Sequence, residues 1–173
     1  MSTSDILKKV VIGMLVHDKP GVMMKITGMF AQRGFNIASI TVGASERLGF
    51  SRITIVAEGD EVVLEQIIKQ LNKLIDVVKV QHLNAAKTNL REFALVKVSA
   101  KNNKDRQEIL TLVEIYRGKV IDVTSKTMTV EIIGSQKKIE SFIELLGDVT
   151  HIREIVRSGI VALLKGEDSI SLD

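Results

Sequence analysis

The chain reads as an α+β protein built from two tandem βαββαβ units, and three features of the sequence predict this. Apolar residues switch between strand spacing and helical spacing in the order β-α-β-β-α-β over the first half, and the same order starts again at Phe93. In each half the first helical stretch ends at an Arg-Gly pair, Arg33-Gly34 and Arg117-Gly118, just ahead of a hairpin. A length of 173 residues suffices for two small domains with a core each. Such units are ferredoxin-like: both helices pack on one face of a four-stranded antiparallel sheet. The predicted division is a first domain over residues 8–84, a polar linker over 85–90, a second domain over 91–166 and a tail over 167–173.

Taken in order, Lys8 to Val16 carries Val10, Val11, Ile12, Met14, Leu15 and Val16, apolar on both faces of a strand, which predicts cover on both sides. Val22, Ile26, Met29 and Phe30 then fall at helical spacing between Gly21 and Arg33, and Gly34 supplies the stop. Asn36–Ala44 and Phe50–Ala57 alternate as a pair of strands, joined by the loop Ser45-Glu46-Arg47-Leu48-Gly49. Gly59-Asp60 opens a helix with Leu64, Ile67, Ile68, Leu71 and Leu74 on one face, and Asp76–Leu83 closes the unit.

In the second half, Phe93–Ser99 reads as a strand, and Ile109, Leu112, Val113 and Tyr116 form a helical stripe ending at Gly118. Lys119–Thr124 and Thr127–Ile133 make a hairpin. Gly134-Ser135 opens a helix with Ile139, Phe142, Ile143 and Leu146 on one side, and Val149–Val156 is the last strand. A ferredoxin-like sheet has one face open, and the doubly apolar first strand predicts that it is covered, by a second copy of the chain or by its own other half. A homodimer is expected. The tail Glu167–Asp173 is expected to be a poorly ordered end.

The stretch with most chemical content is Val16-His17-Asp18-Lys19-Pro20-Gly21-Val22, where a strand turns directly into a helix. Free N–H groups around Pro20, Gly21 and Val22 lie at the positive end of the helix dipole and suit a carboxylate, with no Cβ at Gly21 to hold it away. Asp18 can face an ammonium group, and Asn36 adds a donor and an acceptor, a set that suits a free amino acid. The same residues also have a structural reading: Asp18 as the helix N-cap, Pro20 as a first-turn proline and Asn36 as a turn residue.

Other chemistries find no residues. Lys+Arg 24 against Asp+Glu 21 leaves only +3, without a basic tract, and aromatic residues are 3%, so base stacking and phosphate tracking are poor fits. Arg153 and Arg157 read as a solvated strand face. His17, His82 and His151 are far apart and there is no cysteine, which predicts no metal site and fits a reducing compartment. No nucleophile-elbow, phosphate-loop or dinucleotide motif occurs, and Glu61, Glu65, Glu140 and Glu144 sit on polar helix faces. Hydrophobic content of 45% with no leader and no 20-residue apolar run predicts a cytoplasmic chain with neither membrane nor nucleic acid as partner.

The stretch from Val10 to Leu83 resembles an ACT domain, an amino-acid-binding ferredoxin-like module. More narrowly, Gly28-Met29-Phe30-Ala31-Gln32-Arg33-Gly34-Phe35-Asn36-Ile37 with Ser39-Ile40-Thr41-Val42, then Tyr116-Arg117-Gly118-Lys119-Val120-Ile121-Asp122-Val123, then Arg157-Ser158-Gly159 are similar to the regulatory small subunit of acetohydroxyacid (acetolactate) synthase. The resemblance implies a non-catalytic subunit that activates a catalytic large subunit and confers feedback inhibition by valine or a related branched-chain amino acid. It implies no cofactor on this chain; thiamine diphosphate, magnesium and FAD would belong to the large subunit. It places the effector site on Asp18, Pro20, Gly21, Val22, Met23, Asn36 and Ile37, facing the same segment of a second protomer. Asp18 stands where bacterial members often carry Asn. A free-standing amino-acid sensor acting on gene expression is the alternative, and it is disfavoured because two βαββαβ units leave no room for a DNA-binding helix-turn-helix.

Overall fold

The computed structural model describes residues 9–171; Lys8, at the expected start of the first strand, and Leu172-Asp173 of the tail lie outside them. Two units are present. The first holds the chain up to Leu90 together with Ile160 onward, and the second is Arg91–Gly159.

In the first unit the elements are β1 (Lys9–His17), α1 (Val22–Gln32), β2 (Ile37–Ala44), β3 (Phe50–Glu58), α2 (Glu61–Leu71) and β4 (Val77–His82). They form an antiparallel sheet in the order β2-β3-β1-β4, as the βαββαβ pattern predicts. β1 is central and pairs with β3 without interruption from Lys9↔Glu58 to His17↔Phe50. Its period of two divides its apolar residues between two cores. Val10, Ile12, Met14 and Val16 face the helices and meet Ile26, Phe30, Ile67 and Leu71. Val11 and Leu15 point to the other face, with Val56 and Leu83.

That second face is covered from within the chain, by Ile160 and Ile170 and by the half-buried Ala162 and Leu164. The expectation of a poorly ordered tail therefore does not hold for its described part. Ile170 is only 7% exposed, and Lys79 Nζ donates to the Ser171 carbonyl at 3.0 Å. The seat for Ile170 is Gly13, where a Cβ would stand 2.5 Å from Ile170 Cδ1 and 2.8 Å from Leu83 Cδ1. A glycine in mid-strand has here the reason that a side chain lies directly on its backbone.

The second unit runs through β5 (Thr88–Ser99), α3 (Asn103–Ile115), β6 (Lys119–Val123), β7 (Thr127–Gly134), α4 (Gln136–Val149) and β8 (Ile152–Leu164), in sheet order β6-β7-β5-β8. Ala94, Val96, Val98, Ile109, Val130, Phe142 and Leu146 form its core. Two strands are longer than predicted. β5 starts at Thr88 inside the expected polar linker, because Thr88 and Leu90 turn inward between exposed Asn89 and Arg91. β8 runs on to Leu164, passing through Gly159 in a left-handed conformation at φ 78°. The glycine does not end the strand.

The first helix of each unit ends in the same way. After α1, Gly34 (φ 69°) donates to Ala31 O and Phe35 to Phe30 O; after α3, Arg117 (φ 51°) donates to Glu114 O and Gly118 to Val113 O. Both are Schellman closures. The Arg-Gly pairs are thus out of step by one residue: the left-handed position is held by Gly34 in one unit and by Arg117 in the other.

Candidate functional site

At the end of β1 the chain is fixed between its two sheet neighbours. The His17 N–H donates to Asp76 O at 2.9 Å, and the Asp18 N–H to Gly49 O at 2.8 Å. Lys19 and Pro20 then turn the chain into α1. Neither structural reading of this turn is what the fold uses. The N-cap is Gly21, not Asp18, with φ 85° and no side-chain cap, and Pro20 stands before the cap rather than in the first turn.

The other three α-helices are capped by side chains: Asp60 accepts from Val62 and Val63, Asn102 from Asp105, and Ser135 from Lys138. At α1 the first intrahelical bond is Lys25 N–H to Gly21 O, and Val22 N–H makes only a 3.4 Å contact to Lys19 O. Apart from that bond, the leading N–H groups of α1 have no hydrogen-bond partner among the described residues, on a glycine whose Cβ direction is open. Asp18 and Gly21 are exposed, Val22 is buried in the core and Met23 is half-buried against it. The side chain nearest in role is Lys25, and it is engaged: its Nζ lies 2.6 Å from Asp76 Oδ2. That hydrogen bond holds the Asp76 carboxyl below its ordinary value, against partial desolvation.

Asn36 and Ile37 are not part of this cluster within one chain. Ile37 pairs with Ala57, which pairs with Val10, whereas His17 pairs with Phe50. Phe50 and Ala57 are seven residues apart on β3, a rise of about 24 Å. The structure thus brings Asp18, Pro20, Gly21, Val22 and Met23 together at one end of the sheet and places Asn36 and Ile37 at the other. Asn36 is exposed; its carbonyl accepts from Glu58 N–H at 3.2 Å, and its amide group has no hydrogen-bond partner among the described residues.

Sequence reasoning missed the residues that frame the helix start. Gly49 and Asp76 come from distant loops, and Phe50 packs on the His17 ring with centroids 4.9 Å apart. It also missed an ion pair in the second unit. Arg157 is exposed, as expected of a solvated strand face, and is paired as well: Nε and Nη2 donate to Glu92 Oε1 and Oε2 at 2.8 and 2.7 Å, and Glu92 is 5% exposed. Arg153 likewise donates to Ser99 Oγ at 3.1 Å. Beside the pair, Ser158 Oγ accepts from Phe93 N–H and donates to Gly159 O. The Arg157-Ser158-Gly159 sequence is accordingly a structural device, tying β8 to β5. No group of three histidine and acidic side chains able to hold a metal occurs among the described residues.

Residues 91–166 match the family described as the small subunit of acetolactate synthase, and residues 12–79 match the small-subunit-like ACT domain. The chain is 49% identical over 156 residues to a probable acetolactate synthase small subunit of Methanothermobacter thermautotrophicus, covering 90% of this chain and 92% of that protein. It is 41% identical over 160 residues to the acetolactate synthase small subunit of Haemophilus influenzae, covering 92% and 98%. Among solved structures, the acetolactate synthase small subunit from Thermotoga maritima superimposes with a TM-score of 0.85 at 47% identity, covering 93% of this chain and 99% of that one.

Proposed function

The chain belongs to the acetolactate synthase small-subunit family, and from that premise we propose that it is a non-catalytic regulatory subunit whose first unit binds a branched-chain amino acid, valine or a close relative, at a dimer interface. In this reading it activates the catalytic large subunit when free of effector and restrains it when effector is bound. Residues 8–84 serve as the effector-binding domain. Thiamine diphosphate, magnesium and FAD belong to the large subunit, in the cytoplasm, and this chain supplies no group to the reaction.

The observation that carries the reading is the placement of the two half-sites at opposite ends of a free sheet edge. β2 is an edge strand, and after its irregularity at Ala38 it is regular from Ser39 to Ala44. Two copies pairing their β2 strands antiparallel about a two-fold axis normal to the sheet reverse ends. Asn36 of one protomer then comes to the Gly21 end of its partner, and two equivalent sites are completed at once. The other edge of this sheet is β4, a strand of six residues whose pairing with β1 is interrupted by an irregularity between Leu15 and Val16, which blunts it for such pairing.

Within the completed site the N–H groups of α1 take the effector carboxylate, Asp18 takes its ammonium and the amide of Asn36 bonds to either. Binding across the interface stabilises one arrangement of the pair, and the large subunit responds to that arrangement; a coupling of about 1–3 kcal/mol suffices for strong inhibition. The test is reconstitution of Asn36→Ala with the purified large subunit. The Asn36 side chain is exposed and makes no hydrogen bond among the described residues, so the variant should fold and activate as before, while at least tenfold more valine is needed for inhibition. Unchanged valine inhibition would refute the site.

A further inference from the structure

Resting on that reading of the chain as a regulatory subunit, we propose that the end of the first unit bearing Leu48 and Ile75 is the surface that docks on the catalytic large subunit. These are the two most exposed large aliphatic residues described, at 100% and 94%. An exposed leucine alone means little. What distinguishes this pair is that both are fastened to the same point, the exit of β1. The residue after Leu48 is Gly49, whose carbonyl accepts from Asp18 N–H; the residue after Ile75 is Asp76, whose carbonyl accepts from His17 N–H. Since β3 and β4 flank β1, the two tips stand two strand spacings apart, about 10 Å.

Both tips are also held by bonds within the chain. In the hairpin loop Ser45 Oγ accepts from Arg47 N–H, Phe50 N–H donates to Arg47 O, and Arg52 grips Glu46 with contacts of 3.0–3.1 Å. Beside Ile75, Val77 N–H donates to Leu74 O and Lys25 holds Asp76. Apolar groups held out on ordered loops lose little conformational entropy on docking.

Charge selects the occupant. Glu46 and Asp76 are already matched by Arg52 and Lys25. Lys19 and Arg47 are left in excess over Asp18, and Arg47 lies over the Phe50 ring without a salt bridge among the described residues. A second copy docked end to end would bring two such positive patches together, so the fitting partner is a different chain with apolar sockets rimmed by carboxylates. In this family that chain is the catalytic subunit. The placement also joins the two halves of regulation, because Asp18 and Lys25, at the helix start where effector binds, are hydrogen-bonded to Gly49 and Asp76 at the docking tips.

The test measures binding of the full chain to the purified large subunit for the unaltered protein, Leu48→Asp with Ile75→Asp, and Ile115→Asp, a similarly exposed aliphatic of the second unit. The double variant should lose at least tenfold in affinity for the large subunit and keep its melting temperature and its titration with valine, while Ile115→Asp binds as the unaltered chain does. Unchanged affinity of the double variant, or an equal loss in Ile115→Asp, would overturn the docking surface. Failure of the unaltered chain to bind the large subunit would refute the regulatory reading itself, and the surface with it.

Discussion

The contact of Ile170 with Gly13 makes a quantitative prediction for a double-mutant cycle. Ile170→Ala removes three buried carbons, at the lower end of the 2–5 kcal/mol range for such truncations because a terminal segment relaxes readily: about 2 kcal/mol. Gly13→Ala inserts a methyl group 2.5 Å from Ile170 Cδ1 and 2.8 Å from Leu83 Cδ1, an overpacking cost of about 1–3 kcal/mol. Independent effects would sum to about 3–5 kcal/mol. Once Ile170 is trimmed, however, the new methyl meets only Leu83, and the double variant should lose about 2–3 kcal/mol, a favourable coupling of at least 1 kcal/mol. Native-state hydrogen exchange at the β1 amides of Ile12 and Met14 reads the opening free energy of the first unit directly. Costs that add within about 0.5 kcal/mol would refute the seating of Ile170 on Gly13.

Three further outcomes are expected. Arg117→Gly should stabilise the chain by about 0.5–1 kcal/mol in urea unfolding, since it relieves a left-handed residue at φ 51° in a Schellman turn that the first unit closes with glycine. Glu92→Ala should cost about 2–3 kcal/mol, less than a fully buried pair because Arg157 is one-third exposed, and Glu92→Ala with Arg157→Leu should recover part of the loss. Lys25 holds the Asp76 carboxyl below its ordinary 3.8, so its contribution to stability is complete above that value and fades as pH falls through the lower folded-state value. Asp76→Asn should therefore lower the melting temperature at neutral pH, where the contribution is complete, and leave it unchanged at the acid end, so that the acid limb of a thermal-melting profile is flattened.

The fold was legible because the pattern of apolar residues reports which face of each element is buried, and β1, α1, α2 and α4 carry it plainly. β8 was cut short at Val156 because exposed Arg153, Arg157 and Ser158 hide its period, and Gly159 looks like a stop; the alternation of Ile160, Ala162 and Leu164 was the signal for its continuation. In the candidate site, Asp18 to Met23 were legible as neighbours in one turn. That Gly21 rather than Asp18 caps the helix depends on a backbone angle, which spacing does not report. The separation of Asn36 from Gly21 follows from topology, since a helix between two strands carries the chain to the opposite end of the sheet. The Glu92–Arg157 pair was not legible, because residues 65 apart share no local pattern.

The seat of Ile170 also bears on how the protein is made. Gly13 precedes its cover by the whole of the second unit, so during synthesis β1, β3 and β4 emerge and pair long before residues 160–171 have left the ribosome. In that interval Val11, Leu15, Val56 and Leu83 form an apolar face open to water, the kind of surface that invites aggregation or chaperone binding. The first unit begins folding first and is finished last, and premature termination within the second half would leave its outer face bare.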